Sequence, residues 1–141
     1  MRFADGLHTG GLLLALASSS KNVATMMRRL SVSDGRPLLS IFHADLSGTD
    51  VPRGKPDPAL FVLAAKALQV LTAQCVVVED AQAGIVAARA GGMASIGIAR
   101  LGDEAMLQAA GVVTSLDQVD LAAVPDGILR TRPEAETPVH A

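Results

Sequence analysis

Cysteine, histidine and aromatic residues are scarce in this chain of 141 residues, which argues against an internal disulfide, a zinc site and an aromatic core. The sequence contains one cysteine, Cys75, no tryptophan or tyrosine, and three phenylalanines. A lone cysteine cannot form a disulfide within the chain, and the isolated His8, His43 and His140 do not form a cluster with the spacing of a zinc site. We therefore interpret Cys75 as a small buried hydrophobe and expect a core of Ala, Val, Leu and Ile.

An excess of basic charge and long hydrophobic runs are also missing. Twelve Lys and Arg residues face fourteen Asp and Glu residues, which gives a net charge of −2. Nucleic-acid binding normally needs a basic excess, so nucleic acid is not an expected partner. Apolar stretches such as residues 12–17 are far short of the roughly 20 residues needed to span a bilayer, and the first residues do not resemble a signal peptide. We expect no membrane partner and a soluble, cytoplasmic protein.

Short apolar runs alternate with segments typical of helices. Strands are predicted at residues 11–17, 38–43, 75–78 and 94–99, with a fragment at 112–113. Helices are predicted at residues 21–30, from 57 to about 68 or 70, at 82–90 and 103–110, and weakly at 116–123. This alternation predicts an α/β fold with a doubly wound parallel sheet. We expect a core domain over residues 1–124 and a flexible tail over residues 125–141, where Pro, Glu, Thr and Arg dominate.

Capping residues support three of the predicted helix boundaries. Ser20 is a candidate N-cap for the helix of residues 21–30. Asp57 is a second candidate N-cap, because Pro58 after it is tolerated at the first helical position. Gly91 and Gly92 predict a left-handed C-terminal cap after residue 90.

Two adjacent carboxylates, Glu79 and Asp80, follow the apolar run of residues 75–78. Parallel sheets bind ligands beyond the carboxyl ends of their strands, which is where this pair is expected to lie. Carboxylate oxygens suit Mg²⁺, which typically takes one or two of them together with phosphate and water. A second interpretation is that Asp80 simply caps the following helix.

Two further polar motifs are expected at the same edge of the sheet. Ser18, with the backbone amide of Ser19, is a candidate phosphate site, because the first amides of a helix lack intrahelical partners. Lys55 lies between Gly54 and Pro56, a rigid setting that would hold its ammonium beside a phosphoryl oxygen and a carboxylate. The alternatives are that the serines only cap a helix and that Lys55 is an ordinary exposed lysine. A hydroxyl, a lysine and a carboxylate pair together indicate phosphoryl transfer.

The sequence around these motifs resembles a known family. The segments A-L-A-S-S-S-K-N (residues 15–22), G-K-P-D-P (residues 54–58) and V-V-V-E-D-A-Q-A-G-I-V-A-A-R-A-G-G (residues 76–92) are similar to the second, third and fourth motifs of the haloacid dehalogenase superfamily. The resemblance covers roughly residues 11–115 and is strongest to the β-phosphoglucomutase-like branch. It implies a Rossmann-like core.

The resemblance also implies a role for each motif residue. Ser18 and the Ser19 amide would bind the transferring phosphoryl group, and Lys55 would orient and neutralise it. Glu79 and Asp80 would hold Mg²⁺, with Asp80 as the direct ligand and Glu79 acting directly or through water. Two neighbouring residues would contact a second phosphate on a bound sugar, unless they are solvated residues of the first helical turn: Lys21 and Asn22.

The family's nucleophile, an aspartate in an Asp-x-Asp motif on the first strand, has no counterpart in this sequence. The ten aspartates never occur two positions apart. An aspartyl-phosphate cannot form without that residue, and loss of a nucleophile costs on the order of 10⁶ in rate, so we expect the chain to be nearly inert alone. In the family that first strand is central and is followed by a cap domain, so the strands ending at Ala17 and Val78 would flank a gap. Three explanations are open: another chain fills the gap, the sheet closes by a different pairing, or the sequence is a piece of a longer enzyme. We favour the last. In isolation we expect the chain to be poorly stable and to self-associate.

The sequence thus leaves two functional hypotheses from different classes. The first is the C-terminal core of a Mg²⁺-dependent phosphatase or mutase acting on a phosphorylated sugar or another small phosphate ester. The second is a non-catalytic module, or pseudoenzyme, that binds phosphate and Mg²⁺. An unrelated α/β domain with accidental motif matches is a third interpretation.

Overall fold

The computed structural model describes residues 2–99, 111–113 and 115–120, and within them helices alternate with short strands. The helices are α1 (Arg2–Thr9), α2 (Val23–Arg29), α3 (Ala59–Ala67) and α4 (Gln82–Ala90). The strands are β1 (Ala15–Leu16), β2 (Ala44–Asp45), β3 (Val76–Glu79), β4 (Ala94–Ile98) and β5 (Gly111–Val113). Three short 3₁₀ turns cover Leu38–Ile41, Thr72–Gln74 and Leu116–Gln118.

All of these strands pair in parallel, and they form two sheets. β1 pairs with β2, and a second sheet has the order β3-β4-β5. Helix α2 connects β1 with β2 and helix α4 connects β3 with β4, as the predicted α/β fold requires. In agreement with the predicted gap, β1 and β3 are not hydrogen-bonded neighbours within residues 2–99.

Helices cover the two sheets and join them. Ala17, after β1, and Val77, in β3, both pack against one cluster from α3, α4 and the turn after α4, which consists of Phe61, Ala65, Ala87, Ala88 and Met93. On β3 the alternate residues Val76 and Val78 are each 37% exposed. One face of β3 is therefore packed against helices, whereas the other is partly open to solvent.

Helix α1 was not predicted from the sequence. Phe3 is buried against Ile96, Val113 and Val119. Leu7 packs against this cluster and against a second one, which consists of Leu14, Met27, Val32, Leu38 and Ile41. The chain leaves the helix at Gly11, two residues after Thr9, and its φ of 83° allows the amides of Gly11 and Leu12 to bond the carbonyls of His8 and Leu7. This is the Schellman arrangement, which favours glycine because φ is positive.

The predicted C-cap of α4 is confirmed, and α3 ends in the same way. Gly92 has a φ of 74°, and its amide bonds the carbonyl of Arg89 while that of Met93 bonds Ala88. After α3 the corresponding position is Gln69, with a φ of 57°. A side chain therefore occupies a left-handed position that glycine normally takes.

Two of the predicted strands were wrong in detail. The strand predicted at residues 11–17 is confined to β1. The strand predicted at residues 38–43 is instead the 3₁₀ turn Leu38–Ile41, followed by β2. Leu38 and Ile41 are both buried in one cluster, and a 3₁₀ turn places residues three apart on the same face.

Helix α2 begins two residues later than predicted, at Val23, and Asn22 rather than Ser20 holds the N-cap position. The Ser18 hydroxyl accepts a hydrogen bond from the Ser20 amide, and the Ser20 hydroxyl accepts one from the Asn22 amide. Such local side-chain bonds compete with helix formation and delay its start.

Some predictions fall outside the described part of the chain. These are the helix at residues 103–110, the tail at residues 125–141 and the last three residues of the helix predicted at 116–123, of which the turn Leu116–Gln118 is described. No helix in the described ranges is long and apolar enough to cross a membrane.

Candidate functional site

An ion pair between Lys55 and Glu79 lies at the centre of the site. Lys55 belongs to the loop before α3 and follows Gly54, and its peptide bond to Pro56 is cis. Its ammonium lies 2.5 Å from Oε2 of Glu79, the last residue of β3, and 4.8 Å from the centre of the Phe61 ring. The side chains of Lys55 and Glu79 are 28% and 11% exposed. The ammonium is thus held between a carboxylate and an aromatic face, both of which attract a cation.

The other oxygen of Glu79 organises the turn into α4. Oε1 accepts hydrogen bonds from the backbone amides of Asp80, at 3.1 Å, and Ala81, at 3.3 Å. The N-cap position of α4 falls on Ala81, so Asp80 stands one residue ahead of it, exposed at the end of β3. Both oxygens of Glu79 are therefore engaged, and Asp80 supplies the more accessible carboxylate.

Gly84 makes room for the Glu79 side chain. A β-carbon at this position of α4 would overlap the carboxyl group and Cγ of Glu79. Glycine inside a helix normally costs about 1 kcal/mol relative to alanine, so its presence here needs a local reason. The reason is that α4 must pass directly over the carboxylate that holds Lys55.

A second group of predicted residues lies in the loop between β1 and α2. Ser18 is half-buried, and its carbonyl accepts a 2.8 Å hydrogen bond from the amide of Gly48. Its hydroxyl accepts from the Ser20 amide at 3.1 Å. The remaining predicted residues of this loop are exposed, namely Ser19, Lys21 and Asn22.

The loop after β2 packs against this second group. Asp45 accepts two hydrogen bonds from Ser47, one from the amide and one from the hydroxyl. These bonds, the hydroxyl bond above all, lower the pKa of the Asp45 carboxyl. They form a tight turn that leads directly into Gly48.

The structure therefore brings the predicted residues together in two groups. Lys55, Glu79 and Asp80 form one, and Ser18 to Asn22 form the other. Ser18 to Asn22 follow β1, whereas Glu79 ends β3 and Asp80 follows it. Ala17, next to Ser18, and Val77, two residues before Glu79, pack against the same cluster.

Sequence reasoning missed Phe61, Gly84 and Gly48. A phenylalanine in an apolar helix is indistinguishable from any other core residue, so Phe61 carried no signal. Gly84 is the exception, because a glycine inside an otherwise good helix is a sign of close packing. Gly48 lies among other turn-forming residues, so its sequence context did not distinguish it.

The donor set can be compared with the needs of Mg²⁺. Within residues 2–99, 111–113 and 115–120, three or more His, Cys, Asp or Glu side chains do not come together as a metal cage. Mg²⁺ usually keeps several waters and takes one or two carboxylates plus phosphate oxygens. Asp80, exposed at the end of β3, fits the role of a direct carboxylate ligand, and Glu79 lies beside it, bonded to Lys55 and to two backbone amides. The residues present fit a largely hydrated, phosphate-linked ion.

Comparison with known proteins agrees with these motifs. Residues 3–92 match the family model of haloacid dehalogenase-like hydrolases. The chain is 40% identical over 92 residues to β-phosphoglucomutase of Bacillus subtilis, a match that covers 65% of this chain and 38% of that protein. It is 32% identical over 123 residues to hexitol phosphatase A of Escherichia coli, covering 86% of this chain and 54% of the relative.

Solved structures give the same result for the fold. β-Phosphoglucomutase from Clostridium difficile superposes with a TM-score of 0.73 at 27% identity, over 88% of this chain and 52% of that one. CbbY from Rhodobacter sphaeroides, in complex with xylulose-1,5-bisphosphate, gives a TM-score of 0.70 at 26% identity, and the match covers 81% of this chain and 51% of CbbY. The chain thus spans about half the length of these proteins, or less. The family model, the relatives and the folds agree, and the chain belongs to the haloacid dehalogenase-like hydrolases, in their β-phosphoglucomutase-like branch.

Proposed function

We propose that this chain supplies the phosphate-binding and Mg²⁺-binding part of a phosphatase or phosphomutase acting on a phosphorylated sugar or another small phosphate ester. The observation that carries the proposal is the ion pair of Lys55 with Glu79 directly beside Asp80 at the end of β3. The relatives support the substrate class, since their names refer to phosphorylated sugars and sugar alcohols and the CbbY structure contains a sugar bisphosphate.

In this proposal the chain's own groups bind and orient the phosphoryl group. Lys55 turns its ammonium toward a phosphoryl oxygen and compensates its charge, and Glu79 and Phe61 keep that ammonium in place. The Ser18 hydroxyl and the Ser19 amide bind other oxygens of the same group. Fixed donors of this kind act without reorganising as charge develops, and loss of one costs about 10²–10³ in rate.

The metal is assigned to Asp80. Asp80 would ligate Mg²⁺ directly, and Glu79 would support it by fixing the amides of Asp80 and Ala81 and through water. When bound, Mg²⁺ would neutralise phosphate charge and help orient the reacting group. Lys21 and Asn22 are assigned to a second phosphate of the substrate.

The attacking aspartate of an aspartyl-phosphate mechanism is not among the 141 residues, because no Asp-x-Asp sequence occurs in them. We assign it to a segment outside this sequence, in the same polypeptide or in a complementing chain. The 141 residues alone are then expected to show no measurable turnover.

The test is to join an upstream Asp-x-Asp segment from a relative to the chain and to assay release and transfer of phosphate from sugar phosphates. Mg²⁺-dependent turnover is expected, with a loss of about 10²-fold or more in Lys55→Ala and in Asp80→Asn. Lys66→Ala, on the exposed side of α3, is the control and should retain full activity. Unchanged turnover in the first two variants would contradict the assigned roles.

A second candidate function is a non-catalytic module that binds phosphate and Mg²⁺, and the missing Asp-x-Asp sequence favours it. The same experiment separates the two functions. Binding of phosphate without turnover, even after the upstream segment is joined, would favour the non-catalytic module.

A further inference from the structure

Gly48, in the loop after β2, contacts both Ser18 and Lys21. We infer that Gly48 is a positioning residue that fixes Lys21 relative to Ser18, and thereby selects substrates with two anionic groups. The inference rests on the proposed function, because it takes Lys21 and Ser18 as anion-binding residues.

Two contacts place Gly48 between these residues. Its amide donates a 2.8 Å hydrogen bond to the Ser18 carbonyl. A β-carbon built on Gly48 would lie 2.7 Å from Cγ and 3.2 Å from Cα of Lys21. The bare α-carbon of Gly48 therefore forms the surface against which the stem of Lys21 rests.

The loop holds Gly48 firmly in that place. The Asp45–Ser47 hydrogen bonds close the turn before it, and the Thr49 amide bonds the Leu46 carbonyl across it. The pairing of β1 with β2 also continues into the loop, since the Leu46 amide bonds the Leu16 carbonyl at 2.7 Å. The positions of Gly48 and Ser18 are thus both set by the pairing of β1 with β2.

The consequence concerns the distance between the two anion-binding groups, Ser18 and the Lys21 ammonium. Gly48 sets the position of the aliphatic part of the Lys21 side chain, which carries the ammonium. The Gly48 amide also bonds the Ser18 carbonyl. A methyl group on Gly48 would push the stem away at Cγ and press on the Lys21 backbone. The distance between the two anion-binding groups would change, whereas each group would remain present.

Gly35 provides a matched control for the backbone. Its φ of 85° is left-handed like the 67° of Gly48, but a β-carbon there would meet nothing within 4 Å. Gly35→Ala and Gly48→Ala therefore share the conformational cost of a left-handed alanine. They differ in the contact with Lys21.

The experiment measures binding of two probes to the full chain by calorimetry. One probe is propyl phosphate, with one anionic group, and the other is propane-1,3-diol bisphosphate, with two. In Gly48→Ala, affinity for the bisphosphate should fall about tenfold, whereas affinity for the monophosphate should stay within about twofold, given that 1.4 kcal/mol corresponds to a tenfold change. Gly35→Ala should leave the ratio of the two affinities unchanged.

A double-mutant cycle with Lys21→Ala separates positioning from general damage. Once Lys21 is truncated, Gly48→Ala should have no further effect on the ratio. Equal losses for both probes, or a persistent effect in the Lys21→Ala background, would overturn the inference. If the wild-type chain binds neither probe, the proposed function fails and the selection of doubly anionic substrates fails with it. Nuclear Overhauser contacts between the α-protons of Gly48 and the γ-protons of Lys21 then decide the positional claim, and their absence would overturn it.

Discussion

The ammonium of Lys55 and the carboxylate of Glu79, 24 positions apart in sequence, form an ion pair that ties the loop before α3 to the end of β3. The same carboxylate also accepts hydrogen bonds from the amides of Asp80 and Ala81. One side chain therefore sets the position of a cation and of the neighbouring acid. This gives Glu79 a positioning role beside Asp80, the carboxylate that we propose as the Mg²⁺ ligand.

Removing Lys55 should destabilise the fold as well as the site. In Lys55→Met the Glu79 carboxylate loses its cation while it remains almost buried, and an unpaired buried charge is costly. Because Lys55 is itself 28% exposed, we expect a loss of about 1–3 kcal/mol in the free energy of unfolding at neutral pH. Urea denaturation followed by circular dichroism measures it.

The matched control is Lys66→Met, an exposed lysine in the last turn of α3. Its effect should stay within about 0.5 kcal/mol, as is usual for surface positions. Equal effects in the two variants would show that the ion pair does not contribute to stability.

Gly84→Ala should destabilise the protein, although alanine is the better helix former. The added methyl group would overlap Glu79, so that either α4 or the carboxylate must move. We expect a net loss of about 1–3 kcal/mol, because overpacking exceeds the gain of about 1 kcal/mol in helix propensity.

A double-mutant cycle identifies the cause of this loss. In a Glu79→Ala background the overlap disappears, and Gly84→Ala should then become neutral or stabilising. A loss of the same size in both backgrounds would show that the clash with Glu79 is not responsible.

Gln69→Gly should stabilise the protein. Gln69 ends α3 with a φ of 57°, a conformation that costs a side-chain-bearing residue about 1–2 kcal/mol. Glycine removes this cost but adds freedom to the unfolded chain, so we expect a net gain of about 0.5–1 kcal/mol in thermal or urea unfolding. The reverse change, Gly92→Gln at the equivalent position after α4, should lower stability. A loss of stability in Gln69→Gly would contradict the assignment of strain.

Asp45 should make stability depend on pH in the acid range. Hydrogen bonds from Ser47 lower its pKa, so the stabilisation is complete above the ordinary aspartate pKa of about 3.9 and disappears as pH falls through the lowered value. Because the carboxylate is exposed, the effect should not exceed about 1 kcal/mol. Asp45→Asn and Ser47→Ala should each lower the free energy of unfolding at pH 6, and their difference from wild type should shrink as pH falls below the ordinary aspartate pKa of about 3.9. A difference from wild type that is constant with pH would refute the linkage.

Cys75 should react slowly with alkylating reagents. Burial raises the pKa of its thiol, which reduces the thiolate that reacts. At pH 8 its alkylation by iodoacetamide in the folded protein should be at least about tenfold slower than in the urea-unfolded chain. Comparable rates in the two states would mean that the thiol is open to solvent.

The parts of the fold that sequence could predict were those with a local cause. The bounds of α4 and its glycine cap follow from helical periodicity and from the need for positive φ at Gly92. The segment of Leu38 to Ile41 was misassigned because a short apolar run fits a strand or a turn, and only burial of both residues in one cluster decides between them. Helix α1 was missed because Phe3 and Leu7 are covered by residues that are distant in sequence. The partners of Phe3 all lie more than 90 positions away.

The candidate site was predictable as a set of residue types but not as an arrangement. The motifs named Lys55, Glu79 and Asp80, and the structure brings Lys55 and Glu79 into contact. Which carboxylate is occupied by the lysine depends on the path of α4 over β3 and on the space left by Gly84. Such contacts between distant segments follow from packing in three dimensions, and no local pattern encodes them.

The central claim, that Asp80 and Lys55 hold a metal-linked phosphate, is tested most directly by calorimetric titration of inorganic phosphate with and without Mg²⁺. The account predicts that Mg²⁺ raises the phosphate affinity of the wild-type chain by at least about tenfold, that Asp80→Asn abolishes this increase, and that Lys55→Ala lowers the affinity in both conditions. Phosphate binding that is the same with and without Mg²⁺, or that is unchanged in Asp80→Asn, would contradict it.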